Sequence, residues 1–185
     1  EIMSVQKAAR QCIEKIVHSV GQKKDNPSRG VVTNYLLMLL NEEPQPIRAF
    51  TLRMLSLLAD GDSVPYIAPL LLVKDLREEA VFCLERIPCE MAVDALIGAL
   101  DRVDTDFLPR LIASLGYIQA EKSVLSIEKY MQSENLDLAL TAVKAIARIG
   151  IMPETDPPDF NKLSYRQKKI LLDSVLRFCD GQVQR

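Results

Sequence analysis

Leu76-Arg77-Glu78-Glu79-Ala80-Val81-Phe82-Cys83-Leu84-Glu85-Arg86-Ile87 is the stretch whose pattern decides the fold. Leu76, Ala80, Leu84 and Ile87 follow one another at spacings of four, four and three. That spacing keeps them on one stripe of a helix with 3.6 residues per turn. The same four columns recur three more times. They read Ile47, Thr51, Leu55 and Leu58; then Phe107, Leu111, Leu115 and Ile118; then Leu138, Ala142, Ile146 and Ile149. Successive copies are displaced by 29, 31 and 31 residues. We refer to these as the inner helices.

A second set of columns precedes each of them. Val64, Ile67 and Leu71 match Val93, Leu96 and Leu100, and then Val124, Ile127 and Met131. Val32, Tyr35 and Leu39 extend the set to the first repeat. Spacings of three and four again mean helix. The unit is therefore helix, short turn, helix, about every thirty residues. One such pair cannot bury its apolar stripe alone, so neighbouring pairs must stack. The expected fold is all-α: an α-α superhelix, or solenoid, of about four helical hairpins over residues 31–150. Capping helices are expected at 1–20 and 161–181, and the whole of 1–185 is read as one domain.

Turn signals fall where this scheme needs them. Ala59-Asp60-Gly61-Asp62 ends the first inner helix, Pro88 the second and Gly150 the fourth. Pro44 and Pro46 stand at the start of the first inner helix, where a missing amide proton costs little. Asp75, Asp106 and Asp137 each precede the first core column by one residue. They are expected to cap the inner helices or to sit in their first turns, where the helix dipole favours a carboxylate.

The inner-helix columns resemble the HEAT repeat, in its short bacterial form known as the phycobilisome-lyase-type HEAT-like repeat, of the armadillo-like α-solenoids. Leu76-Arg77-Glu78-Glu79-Ala80, Leu84 and Ile87 follow that consensus, with Pro88 where Gly is usual. Leu138, Ala142, Ile146, Ile149 and Gly150 follow it again. Ile47-Arg48 keeps the Arg, with Thr51 for Ala, and Leu115-Gly116 keeps the end of the motif, with Leu108 for Arg. The resemblance covers residues 31–150 and implies the fold. It implies protein binding only as a class of activity, because function on such scaffolds lives in surface residues.

In the flanks, Val5, Ala9, Ile13 and Ile16 are expected to form the core stripe of the first capping helix. Residues 21–30 read as a polar loop with a turn at Asn26-Pro27, longer than any other within the array. Met152 to Asp159 contains three prolines and is not helix. Ser164-Tyr165-Arg166-Gln167 is a capping box opening a last helix to about Cys179. Ile170, Leu171, Val175 and Leu176 are expected to cover the open end of the core. The chain opens at Glu1 inside a helical pattern, so a processed start or a longer parent chain is expected.

Composition excludes several classes. Hydrophobic residues make up 48% of the 185 and charged residues 26%, which a mainly disordered chain does not show. No apolar run approaches the roughly 20 residues needed to span a bilayer. Cys12, Cys83, Cys89 and Cys179 form no C-x-x-C pair and His18 is the single histidine, so neither a metal nor a cofactor is expected. Reduced thiols in a cytoplasmic protein are the simpler reading. Asp60-Gly61-Asp62 lacks the rest of a calcium loop. His18 ends the first helix, where its interaction with the terminal carbonyls explains it. No phosphate loop, G-x-S-x-G or H-E-x-x-H is present, so no catalytic residue is expected and the chain reads as a non-enzyme. Residues 1–30 carry a net charge of +3 and residues 161–185 of +4, leaving −9 between them. This layout argues against nucleic acid along the middle of the array. It leaves open an acidic face that meets a basic partner, or a structural homo-oligomer in which basic ends meet acidic middles.

The expected binding surface lies on the inner helices, opposite the core stripe, on the concave face of the superhelix. Leu52, Val81, Ile112 and Val143 there are read as buried between neighbours. Phe82 stands one column further out, with a rim of Arg53, Glu78, Glu85 and Lys144 and with Ala113 beside it. A shallow groove with an aromatic floor suits a helix or an extended peptide, which makes the chain a scaffold or adaptor for another protein. A pigment-lyase-like role and nucleic-acid binding are the remaining, weaker readings.

Overall fold

In the computed structural model, residues 2–23, 25–42 and 44–183 are described, and helix and turn account for all their regular structure. The fold is the all-α helical-repeat class expected. The helices are α1 (Ile2–Gly21), α2 (Arg29–Glu42), α3 (Gln45–Leu58), α4 (Val64–Ile67), α5 (Arg77–Leu84), α6 (Glu90–Ala99), α7 (Leu108–Tyr117), α8 (Val124–Glu128), α9 (Leu136–Ile149) and α10 (Tyr165–Val183). The inner helices are α3, α5, α7 and α9. No described helix is long and apolar enough to cross a membrane. The chain forms two compact units, Glu1–Ala92 and Val93–Arg185.

In the first unit the core is built from α1 to α5. Helix α3 packs against α5, and α5 in turn against the segment that carries Val64, Ile67 and Leu71; Thr51, Leu55 and Leu58 of α3, Ala80, Leu84 and Ile87, and those three are all buried. Pro65 and Pro69 break the outer helix into α4 and a 3-10 segment, Ala68–Leu72, because each removes an amide donor. Asp60 and Ser63 reciprocally cap the turn that leads into it.

Three expectations shift here. On α1 the buried residues are Val17 and Val20, with Ile13 half-buried, whereas Ala9 and Ile16 are exposed. The side chain of Val5 lies outside the described residues. On α2, Thr33, Leu36, Leu37 and Leu40 are buried and Tyr35 is exposed, one step round from the expected stripe. Ile47 stands in the first turn of α3 and is exposed, and Phe50 takes the core position under the guanidinium of Arg10, 5.5 Å away. The loop after α1 is also shorter than expected, because α2 begins at Arg29. The α6–α7 connection, Leu100–Phe107, is no shorter, so the first loop is not singled out by length.

In the second unit α7 and α8 both pack against α9; Phe107 at the N-cap of α7, Leu111 and Leu115 on it, Leu138, Ala142, Ile146 and Ile149 on α9, and Val124, Ile127 and Met131 are all buried. Ile118 is half-buried at the C-cap of α7. Gly150 ends α9 in the left-handed conformation, φ 79°, which its lack of Cβ permits. The cap at the start of α9 is Asn135, whose carboxamide accepts from the amides of Asp137 and Leu138. Of the three aspartates expected at helix starts, only Asp137 lies in a first turn. Asp75 and Asp106 each stand two residues before their helix. The Ser164–Gln167 capping box is present, with the Ser164 amide donating to Gln167 Oε1 at 3.0 Å.

Pairs about thirty residues apart tie successive repeats. Gln45 Nε2 donates to the Asp75 carbonyl, Arg86 Nε to that of Ser56 and Tyr130 Oη to that of Leu100. Gln119 Nε2 donates to the Arg148 carbonyl and Gln167 Nε2 to Asp137 Oδ1. Each lies within one unit; the first four join neighbouring repeats, and the last joins α10 to the start of α9.

A candidate protein-binding surface

The exposed side of α3 and α5 holds four of the six residues expected to bind a partner. Leu52 and Val81 are fully buried between the helices, which leaves Arg53, Glu78 and Phe82 open to solvent and Glu85 half-buried. Phe82 is 43% exposed, although its neighbours Val81, Cys83 and Leu84 are completely buried. The helical period explains the contrast: those three face the core, and residue 82 points away from it.

Two further residues organise this surface. Arg86, one turn after Phe82, places its guanidinium 5.6 Å from the ring centroid while Nε donates to the Ser56 carbonyl at 3.0 Å. It therefore bridges α5 to the preceding inner helix and holds a cation beside the aromatic face. Glu79 pairs with Arg53 at 3.8 Å. Both were visible as neighbours of Phe82 and Arg53, and the four-residue spacing from Phe82 to Arg86 was the available signal. Behind the ring, burial pushes the Cys83 thiol up to about 12, so it stays protonated and is no nucleophile.

The other two expected residues belong to the second unit. Lys144 is exposed on α9 and Ala113 is half-buried on α7. Around them Ile112, Gly116, Leu140, Val143 and Ala147 are buried, because α9 is flanked by both α7 and α10. The apolar floor expected there is closed by helix packing.

The second unit also holds a titratable cluster. Lys129 is paired with Asp101, and the Tyr130 hydroxyl donates to the Leu100 carbonyl at 3.2 Å. The hydrogen bond from Lys129 holds the Asp101 carboxyl below its ordinary value, and the same bond raises the Lys129 ammonium. Burial raises the Tyr130 phenol. With Lys122 paired to Asp94 at 2.6 Å, these contacts clamp α8 to α6 and its turn. Among the described residues, no three of His, Cys, Asp and Glu are grouped as metal ligands.

Residues 76–102 match the family model of the PBS lyase HEAT-like repeat. The chain carries a HEAT-like repeat. The matched span runs from the first core column of α5 through α6, so the HEAT-like repeat includes Glu78, Phe82, Glu85 and Arg86. Repeats of this kind generally mediate protein interaction, while the description of this one also names a lyase. No curated protein matches the chain.

Proposed function

We propose that this chain is a non-catalytic scaffold or adaptor that takes a protein partner on the exposed side of its inner helices, with Phe82 at the centre of the contact. The observation that carries the reading is a large aromatic side chain left 43% exposed on a repeat helix where its neighbours Val81, Cys83 and Leu84 are buried. Arg53, Glu78 and Glu85 form a polar rim, and Arg86 steadies the ring. Aromatic and arginine side chains dominate binding energy where one partner presents them together. The mixed-charge rim suits a helix or an extended peptide laid across α3 and α5. In the second unit Lys144 and Ala113 are separate proposed contacts. The four cysteines are free thiols, as suits a protein working in the cytoplasm.

The test is affinity capture with wild type and with a Phe82→Ala, Arg53→Glu double variant, read by mass spectrometry, with circular dichroism to check folding. We expect a protein captured by wild type and lost by the folded variant. Phe82→Ala alone should cost less than about 1 kcal/mol in urea unfolding, against roughly 3–5 kcal/mol for a core aromatic. Equal capture by both proteins, or a core-sized stability loss, would remove the surface from consideration.

A further inference from the structure

The last helix presents to solvent an apolar stripe that includes Val175 and Leu176, two of the four residues expected to cover the core. Leu171 and Ser174 of α10 are buried and Ile170 and Phe178 half-buried, but Leu172, Val175 and Leu176 are 52%, 46% and 62% exposed. With exposed Cys179 they stand at offsets of three, four and seven from Leu172, which makes a continuous ridge along the helix. Beside Val175 and Phe178 lies an apolar cavity of about 180 Å³, lined also by Met131, Met152 and Pro153. A dry cavity of roughly 150 Å³ can hold a benzene-sized group, so this one has room for an apolar side chain.

The charges along one edge of the ridge identify what covers it. Lys169, Asp173, Arg177 and Asp180 are all exposed, and a helix of 3.6 residues per turn puts all four on the same side of the ridge. Among the described residues, none of the four is ion-paired. Their signs alternate, plus, minus, plus, minus, and reversing the helix exchanges every sign. When two such helices lie antiparallel about a two-fold axis, the same edge of each faces the other. Lys169 then meets Asp180 of the second copy, Asp173 meets Arg177 of the second copy, and symmetry repeats both pairs. In the same register Leu172 of the second copy lies opposite the Val175–Phe178 wall of the cavity.

We infer that α10 is a homodimerisation helix, its ridge covered by α10 of a second copy in antiparallel register. A two-fold contact must be self-complementary, and this helix is so in both its apolar and its charged residues. A parallel pairing would bring opposite edges of the two helices together and leave this pattern unanswered. The surface is separate from that of Phe82, so either reading can fail without the other.

The test is sedimentation equilibrium of the full 185-residue chain across a concentration series, with variants at exposed positions that leave the fold intact. Wild type is expected to dimerise. Leu172→Glu should abolish the dimer. Lys169→Asp places like charges opposite each other twice and should weaken it about tenfold, given roughly 0.2–1 kcal/mol for each exposed pair. Asp180→Lys should do the same. The double variant Lys169→Asp with Asp180→Lys recreates opposite signs at every pair and should return the affinity to near that of wild type. Circular dichroism and a thermal melt confirm folding of each variant. A wild type that stays monomeric at roughly 100 µM, well above the micromolar range of weak specific contacts, overturns the inference. So does a dimer that Leu172→Glu leaves intact, and so does a double variant as weak as its two singles.

Discussion

At Gly116 one methyl group is more than the packing can take. A Cβ built there would lie 2.6 Å from Ala145 Cα and 2.8 Å from Ala145 Cβ, so α7 and α9 approach each other through the missing side chain. Gly116→Ala forces the two helices apart at their closest point. We expect a loss of about 1–3 kcal/mol in urea unfolding, the usual range for an overfilled core. Gly98, inside α6, has nothing within 4 Å of such a Cβ, so Gly98→Ala should gain about 0.5–1 kcal/mol from helix propensity alone. If both substitutions gave the same sign, the close approach would not be what fixes Gly116. In the sequence Gly116 falls on the side of its helix opposite the core columns, and a glycine inside an apolar helix was the available sign of close backbone approach. Phe82 shows the reverse situation. Its place one column outside the buried set is readable from spacing, but the stacking of Arg86 on its ring depends on a tertiary hydrogen bond to Ser56 that no local pattern contains.

Among the elements, the inner helices were the most legible. Their four columns come from repetition, and repetition turns most of the same positions inward in each copy: Leu76, Ala80, Leu84 and Ile87 are all buried, while Ile47 and Ile118, at the ends of their columns, are exposed and half-buried. The flanking helices lack that constraint. On α1, the stripe through Ala9, Ile13 and Ile16 and the stripe through Ile13, Val17 and Val20 have equal helical spacing, and the packing of α1 on α3 and α2 selects the second. On α10 the same ambiguity hid a functional candidate, because an apolar stripe on an end helix reads as core whichever way it faces. The segment 151–159 was legible as irregular from its prolines, but what holds it in place was not. Glu128, buried at the end of α8, accepts from the Glu154 amide at 3.2 Å and from Thr155 Oγ1 at 3.4 Å, and Gln132 Nε2 donates to the Asp156 carbonyl at 2.7 Å. Glu128→Ala leaves those donors without their acceptor and should cost about 1–3 kcal/mol. Hydrogen exchange should show the Glu154 amide losing protection first. Unchanged exchange there would mean that the prolines and Gln132 hold the segment unaided.

For the whole molecule, the sequence gives charge by region and leaves its use open. Net charges of +3, −9 and +4 along the chain allow self-association through long-range attraction between basic ends and acidic middles. The α10 ridge allows it through apolar burial with short-range pairs at the edge. Salt separates the two. The screening length falls from about 10 Å at 0.1 M to about 3 Å at 1 M, which removes attraction between separated regions of opposite charge. Burial of Leu172, Val175 and Leu176 is not screened, and the edge pairs contribute only a few tenths of a kcal/mol to about 1 kcal/mol each. We therefore expect light scattering to give a two-chain mass at both about 0.1 M and about 1 M NaCl, with at most a modest rise in dissociation constant between them. A mass that falls to one chain at the higher salt would assign the association to the charged regions. The ridge on α10 would then be too weak a contact to hold two copies together, because its apolar part is the part that salt leaves untouched.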